Sequence, residues 1–218
     1  MHIEVPRLMM TRRKQLSEAM KASIRDAAAA LFAEKGYPSV TMREIAKAAG
    51  CSHTAIYLYY NSKEELLQQI AIPSLLQLEQ RLLELRGRRE AVPEDRLLAV
   101  CEQYVVFCLT SGSLQTVLFM SGSVRVDDPS PELEVNVIRI RLFTHISQML
   151  HETVTGASEA PDRESAAAID NGRMLFYYLQ GFISTYTGHL EPTAELLERT
   201  LPILRQGILT LVRGMKQN

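Results

Sequence analysis

Residues 41–63 read TMREIAKAAGCSHTAIYLYYNSK, and this stretch decides the fold. It opens with Thr41, followed three residues later by Glu44. This is the pattern of a capping box, in which the hydroxyl and the carboxylate bind free amides at the start of a helix. Gly50 supplies the turn after that helix, because glycine readily adopts the left-handed backbone with which a chain leaves a helix. The first half of the stretch therefore predicts one short helix with defined ends.

A second helix is expected directly after the turn. Ser52 caps it, and the helix runs from about 53 to 60 with Ile56 and Tyr60 on its inner side. Two helices joined by about three residues that include a glycine form a helix-turn-helix motif. The second helix of that motif enters the major groove of DNA. The stretch therefore predicts a DNA-binding domain.

Further helices flank the motif on both sides. Apolar residues from Ile24 to Phe32 recur with a period of about 3.6, which predicts a preceding helix of about five turns that ends at Gly36. A third helix begins at Lys63 and continues through a run of leucines. Three helices of this kind bury a small core of alanines and larger apolar side chains.

The stretch from Ile24 to Leu67 resembles the N-terminal domain of the tetracycline-repressor (TetR) family of bacterial transcriptional regulators. Thr54 departs from the Gly or Pro often found there and adds a side chain at a position that faces DNA, and Tyr60 replaces the commoner Phe. The residues that sit where the family has like residues are Phe32, Gly36, Tyr37, Thr41, Ile45, Ala46, Ala49, Gly50, Ser52, Tyr57, Tyr60, Lys63, Leu66 and Leu67.

The resemblance implies an all-α fold of about nine helices in two domains. Residues 1–66 would form an N-terminal arm and a three-helix, helix-turn-helix DNA-binding domain. Residues 67–218 would form a helical effector-binding and dimerisation domain. The function implied is that of a sequence-specific transcriptional regulator, expected to be a repressor.

Helical geometry and matching family positions together select the candidates for contact with DNA. His or Thr side chains can hydrogen-bond base edges, and an alanine methyl can contact thymine. Arg43 is the candidate for bidentate contact with guanine, the alternative being that it faces only solvent. The full set is Arg43, Ser52, His53, Thr54, Ala55, Tyr57, Tyr59 and Lys63.

Phosphate contacts are expected from a different group of side chains. Tyr57, Tyr59 and Lys63 match family positions that commonly touch phosphates. Lys63 also lies beside a helix N-terminus, which is a natural anion site. The run from Arg12 to Lys14 is expected either to follow the DNA backbone as an arm or to be a solubilising tail.

Composition fits an intracellular regulator. The chain has 218 residues, of which 46% are hydrophobic, and no apolar run reaches the ~18 residues that a membrane-spanning helix needs. The first residues, MHIEVPRLMM, lack the basic-then-apolar layout of a secretory signal. Three cysteines without framework spacing argue against an oxidising compartment. We therefore expect a cytoplasmic protein with no membrane partner.

Charge is distributed unevenly along the chain, although its net value is only −1. Residues 1–70 hold ten Lys and Arg against seven Asp and Glu, whereas residues 71–218 hold 14 against 18. This modest asymmetry agrees with DNA binding by the first domain alone.

The rest of the chain has helical periodicity and no convincing strand pattern. A kink is expected at Pro73, because proline removes a helix hydrogen bond and crowds the preceding turn. The helices are expected at about 63–85, 94–110, 113–120, 132–153, 163–187 and 193–212.

A homodimer on a palindromic operator is expected, because one helix-turn-helix contacts too few base pairs for specific control. In the TetR family the last two long helices of each subunit form a four-helix bundle. The alternative for the leucine stripe of the last helix is the core of its own subunit. The corresponding interface residues are Gly181, Leu197, Leu201, Leu204, Ile208 and Leu211.

An effector site is expected in the second domain, because family members are typically released from DNA when a small molecule binds among the middle helices. The effector is expected to be apolar or aromatic and to shift the helix that contains Pro73. Such side chains are also typical of an ordinary core. Arg139 is expected to point outward, because an inward charge would need a partner or an anionic ligand. The candidate lining residues are Tyr104, Phe107, Cys108, Phe119, Met120, Phe143, Ile146, Met149, Tyr178 and Phe182.

Other chemistry finds little support in the sequence. The histidines lack metal-ligand spacing, and no phosphate-binding loop, nucleophile elbow or paired carboxylate motif appears. We therefore expect no cofactor, no metal and no catalytic residue. Two alternatives stay open, namely a helical protein-interaction module that has lost DNA binding and, with less support, an enzyme.

Overall fold

The computed structural model describes residues 12–88, 90–111, 134–157, 166–188 and 190–217. Within these ranges every regular element is helical, which confirms the predicted all-α fold. The helix expected at 113–120, with Phe119 and Met120, lies outside the described residues. The α-helices are α1 Arg12–Lys35, α2 Met42–Ala48, α3 Lys63–Arg86, α4 Pro93–Thr110, α5 Glu134–Thr155, α6 Ala166–Tyr186 and α7 Thr193–Lys216, and two 3₁₀ segments span Tyr37–Ser39 and Ala55–Leu58.

The described residues form two compact units whose boundary falls inside α3, between Ile70 and Ala71. In the first unit α1 packs against α2. Gly36 ends α1 with a φ of 77°, a conformation that glycine adopts without strain. The core of this unit consists of side chains that are almost fully buried, namely Ile24, Ala28, Phe32, Val40, Ile45, Ala46, Ile56, Leu66 and Leu67.

The second element of the helix-turn-helix is shorter than predicted. In place of an α-helix over about eight residues, a 3₁₀ segment covers Ala55–Leu58. The Tyr59 and Tyr60 amides both donate to the Ile56 carbonyl, so the segment ends as soon as one turn is complete. Ile56 and the tyrosines at 57, 59 and 60 have lower helix propensity than alanine, which agrees with a short segment.

In the second unit, each of α4, α5, α6 and α7 contacts the other three. The part of α3 that belongs to this unit is tied to α5, because Glu79 accepts hydrogen bonds from Arg141 at 2.7 Å and contacts His145 at 3.2 Å. Pro73 lies inside α3, which continues on both sides of it. None of the described helices combines the length and the unbroken apolar sequence that a bilayer crossing requires.

Candidate nucleic-acid interface

The start of α2 is fixed by the predicted capping box. The Glu44 amide donates to Thr41 Oγ1 at 3.3 Å, and the Thr41 amide donates to Glu44 Oε2 at 2.9 Å. The hydrogen bond from the Thr41 amide holds the pKa of the Glu44 carboxyl below its usual value. Since Ile45 and Ala46 are buried, α2 presents Arg43 on its exposed side.

The 3₁₀ segment and the residues beside it have one buried side and one exposed side. Ile56 is 0% exposed and Tyr60 is 4% exposed, which confirms that these two side chains point into the core. His53, Thr54, Tyr57 and Leu58 are exposed on the opposite side. We call these four residues the outer face.

Two of the outer-face side chains support each other. The rings of His53 and Tyr57 meet edge to face, with centroids 5.4 Å apart. Ser52 precedes the outer face, and its hydroxyl accepts a hydrogen bond from the Ala55 amide at 3.0 Å, although the longer α-helix that it was expected to cap is not formed. Ala55 and Tyr59 are half-buried. The outer face is therefore held in place by local contacts at both ends of the segment.

Leu58 is a member of the outer face that was not predicted from the sequence. It is 82% exposed, which is unusual for a large apolar side chain. A signal for it exists in the sequence, since a residue two places after the inward Ile56 lies on the opposite side of any helix. An apolar side chain at this place suits contact with thymine methyl groups.

Lys63 makes contacts inside the chain that were not predicted from the sequence. Its ammonium donates to the carbonyl oxygens of Tyr37 at 2.9 Å and Val40 at 2.8 Å, and it lies 4.3 Å from the centroid of the Tyr37 ring. The ammonium also lies 3.5 Å from the Pro38 carbonyl oxygen, so all of these contacts fall on the segment between α1 and α2. The structure therefore assigns Lys63 to the support of the loop between α1 and α2, and its phosphate contact stays a prediction.

Tyr37 completes this support on the same loop. Its hydroxyl donates to Glu64 Oε1 at 2.9 Å, and its ring meets that of Phe32 edge to face at 5.2 Å. Burial and the bond to Glu64 raise the pKa of the Tyr37 hydroxyl, so it stays a donor throughout the physiological range. The first turn of α3 thus holds the loop that leads into α2.

The N-terminal arm is only partly described. Arg12 and Lys14 are exposed at the start of α1, and the side chain of Arg13 lies outside the described part. The arm expectation therefore stays a prediction.

The predicted dimer interface needs a correction. Leu204 and Ile208 are 0% exposed, because they belong to the stripe of α7 that faces the core of the subunit itself. Leu197, Leu201 and Leu211 are half-buried, and Gly181 on α6 is exposed. The apolar side chains that these two helices leave exposed are Ile169, Met174, Tyr177 and Ile203.

The predicted effector residues that are described divide into core and partly exposed positions. The half-buried ones are Phe107, Phe143 and Tyr178. The Tyr178 hydroxyl donates to the carbonyl oxygens of Ile203 and Leu204, which ties α6 to α7. The buried ones are Tyr104, Cys108, Ile146, Met149 and Phe182.

A cavity of about 130 Å³ lies where α5 faces α6, and it is lined by residues other than those predicted. Its wall is mostly apolar, and Ser147, His151 and Asn171 add polar groups to it. Arg139 is half-buried, which corrects the expected outward orientation. Across the described ranges, His, Cys, Asp and Glu side chains form no group that could hold a metal ion.

The similarity to known proteins in sequence lies in the helix-turn-helix region. The family model of bacterial regulatory proteins of the tetR family matches residues 24–70. An uncharacterised HTH-type transcriptional regulator of Mycobacterium tuberculosis is 51% identical over 43 residues, which is 20% of this chain and 21% of that protein. The similarity to this curated relative thus spans about a fifth of its length.

Solved structures extend the likeness to the whole fold. A TetR/AcrR-family regulator from Thermobifida fusca superposes with a TM-score of 0.61 and 20% identity, covering 86% of this chain and 97% of that chain. FadR of Bacillus subtilis, solved in complex with stearoyl-CoA, has a TM-score of 0.56 and 22% identity, covering 88% of this chain and 96% of that chain. At these identities the likeness concerns the fold alone. Residues 24–70 thus match the tetR family of bacterial regulatory proteins, and the fold is like that of solved TetR-family regulators.

Proposed function

We propose that the chain is a sequence-specific DNA-binding regulator of transcription, acting as a repressor in the bacterial cytoplasm. The observation that carries the proposal is the outer face, where His53, Thr54, Tyr57 and Leu58 project from a segment anchored by the buried Ile56. Hydrogen-bonding, aromatic and apolar side chains on one short exposed segment suit the mixed donor, acceptor and methyl pattern of a major groove. Arg43 on α2 adds a cation suited to guanine or to a phosphate.

The active form in this proposal is a homodimer on a palindromic operator. One outer face reads only a few base pairs, so two copies related by a two-fold axis are needed for specific control. The exposed apolar residues Met174, Tyr177 and Ile203 support an interface formed by α6 and α7. The exposed Gly181 on α6 would allow close approach of a second helix.

The two parts of the chain would have different functions. Residues 1–66 would bind DNA, and residues 67–218 would bind a partner subunit and a small-molecule effector that releases the DNA. That FadR, a protein of the same fold, was solved with stearoyl-CoA supports an effector with a large apolar part. Aromatic side chains around Phe143 and Phe176, whose rings meet edge to face at 5.3 Å, support the same class.

Selection of DNA from a random pool tests this proposal, because it works for any operator sequence. The full chain is incubated with random duplexes, and the bound fraction is amplified and sequenced over several rounds. We expect enrichment of one sequence with approximate two-fold symmetry and half-sites about one helical turn apart, or a multiple of that distance. The absence of any enriched sequence would contradict the proposal and favour a protein-interaction module.

A further inference from the structure

A group of polar side chains in the second unit carries an inference about the effector. Arg139 and Asn136 lie on α5, Tyr104 and Cys108 lie on α4, and Gln180 lies on α6. We call these five residues the polar cluster. Asn136, Tyr104 and Cys108 are buried, and Arg139 and Gln180 are half-buried.

The charge of Arg139 is poorly compensated. Its guanidinium donates one hydrogen bond, to Asn136 Oδ1 at 3.1 Å, although it has five N–H donors. In the part of the chain that the structure describes, no carboxylate pairs with it. Burial lowers the pKa of Arg139, as expected for a cation taken out of water without an anionic partner.

The neighbours of Arg139 do not supply the missing negative charge. Burial raises the pKa of Tyr104 well above its ordinary value and raises the pKa of Cys108 to about 12. Both side chains are therefore neutral near pH 7. The field of the guanidinium acts against these two shifts and does not overcome them.

Other arginines of the same unit are paired with carboxylates. Arg96 bonds Glu152, Arg141 bonds Glu79 and Arg205 bonds Glu102. Each of these three pairs joins two helices through a glutamate. Arg139 instead donates to the amide oxygen of Asn136.

Two side-chain amides beside Arg139 and Tyr104 each have one buried atom without a hydrogen-bond partner. Asn136 is 3% exposed, and its buried Nδ2 has no partner. Gln180 Nε2 donates to the Tyr104 hydroxyl at 2.7 Å, whereas its buried Oε1 has no partner. Buried polar groups in proteins are nearly always bonded, so open groups next to an uncompensated charge point to a ligand that completes them.

We propose that the polar cluster binds the head group of the effector and that Arg139 binds a carboxylate on it. The guanidinium suits this group because its paired N–H donors match the two oxygens of a carboxylate. The rings of Phe176 and Phe143 continue from Tyr104, with centroids 6.4 Å and then 5.3 Å apart, and they suit the apolar part. The effector class is thus an apolar carboxylic acid. This inference rests on the proposed function, since it names the effector of that regulator.

Matched pairs of probes test the inference on the full chain. Calorimetric titration compares 2-naphthoate with 2-naphthalenemethanol, and decanoate and palmitate with the alcohols of equal chain length. We expect at least one acid to bind the wild-type chain about tenfold or more tightly than its alcohol. Arg139→Gln should remove that preference and leave the alcohol affinity unchanged.

The control is Arg81→Gln, which removes a charge from an exposed pair with Glu84 and should keep the preference for acids. Failure of all the acids to bind the wild-type chain would overturn the inference. Equal preference for acids in wild type and Arg139→Gln would overturn it as well.

A second measurement needs no ligand. If Arg139 serves to bind an effector, its unpaired charge destabilises the fold of the ligand-free protein. Arg139→Gln should therefore leave the melting temperature unchanged or raise it. Arg96→Gln, which breaks the buried pair with Glu152, should lower it. A fall of more than about 4 °C for Arg139→Gln would show that the side chain holds the fold together and would overturn the inference.

The two proposals fail separately in these experiments. If the wild-type chain selects a DNA sequence but binds none of the acids, the effector inference is wrong and the regulator proposal stands. If it binds an acid through Arg139 but selects no DNA, the regulator proposal is wrong.

Discussion

The Lys63 ammonium lies between two backbone carbonyls and over the face of the Tyr37 ring. Each contact is favourable because the carbonyl oxygens and the ring face are negative toward the cation. The carbonyls of Tyr37 and Val40 belong to the loop that sets where α2 begins. A side chain at the start of α3 thus influences the position of Arg43 indirectly, through this loop.

Replacing Lys63 by methionine tests this role. Loss of the ammonium removes a charged donor from both carbonyls, so we expect the free energy of unfolding to fall by about 1–3 kcal/mol. Lys47→Met, at an exposed position of α2, should cost much less. Urea unfolding followed by circular dichroism measures both.

The salt dependence of DNA binding separates the two roles of Lys63. A lost phosphate contact would lower the slope of log K against log salt by about 0.9. A structural role predicts weaker binding with an unchanged slope. Unchanged stability of Lys63→Met together with a lower slope would support the predicted phosphate contact and contradict the structural role.

Local relationships explain which of these residues were predictable. Thr41 and Glu44 are three residues apart, and Ile56 and Tyr60 are four apart, so helical spacing alone identified the cap and the inward side. The contact from Lys63 to Tyr37 spans 26 residues. No spacing rule reaches across that distance, and a lysine beside a helix N-terminus is equally typical of an anion site.

The last helix, α7, shows why a leucine stripe did not identify an interface. Its buried side follows Leu196, Thr200, Leu204, Ile208 and Val212 at helical spacing. Of the α7 residues predicted for the dimer interface, some lie on this buried side and others on the half-buried positions beside it. The sequence does not separate the two groups, because an apolar stripe has the same period whether it packs inside a subunit or between subunits. Which of two partners covers it is decided by the arrangement of α4, α5 and α6, and the helix sequence alone does not contain that arrangement.

Two glycines of α7 give a matched test of the packing between α6 and α7. A methyl group at Gly207 would overlap the Tyr178 side chain, whereas one at Gly214 meets nothing within 4 Å. We expect Gly207→Ala to lower the free energy of unfolding by about 1–3 kcal/mol through overpacking. Gly214→Ala should raise it by about 0.4–1 kcal/mol, because alanine has less freedom in the unfolded chain.

Thermal or urea unfolding of the two variants beside the wild-type chain decides this point. Opposite signs are expected from the same chemical change on one helix. Stabilisation by both substitutions would mean that Tyr178 does not occupy the space beside Gly207.

The whole molecule leaves apolar side chains exposed on its last two helices. Tyr177 is 64% exposed and Ile203 is 58% exposed. If the pair lies in a two-fold interface, placing glutamate at both sites brings like charges together and prevents association. We expect the double substitution of Tyr177 and Ile203 by Glu to yield a folded monomer in sedimentation equilibrium, with DNA affinity at least about tenfold weaker than wild type.

Leu83→Glu changes a 41% exposed leucine on α3 and serves as the control, which should keep the wild-type mass. A wild-type mass for the double variant would exclude the interface on α6 and α7. A single-chain mass for the wild-type protein bound to its selected DNA would contradict the homodimer.

If the outer face lies inside a DNA duplex, as we propose, a negative charge at Leu58 weakens DNA binding, and Leu58→Glu introduces that charge. Leu58 is 82% exposed, so the free energy of unfolding should change by no more than about 0.5 kcal/mol. A carboxylate at this place would face the phosphates and the acceptor-rich groove edge, and we expect affinity for the selected DNA to fall at least about a hundredfold. Leu190→Glu makes the same change at a fully exposed site in the second unit and should leave both quantities unchanged. Fluorescence anisotropy measures DNA affinity on samples of known melting temperature. Wild-type affinity in a folded Leu58→Glu chain would show that the outer face does not enter the duplex.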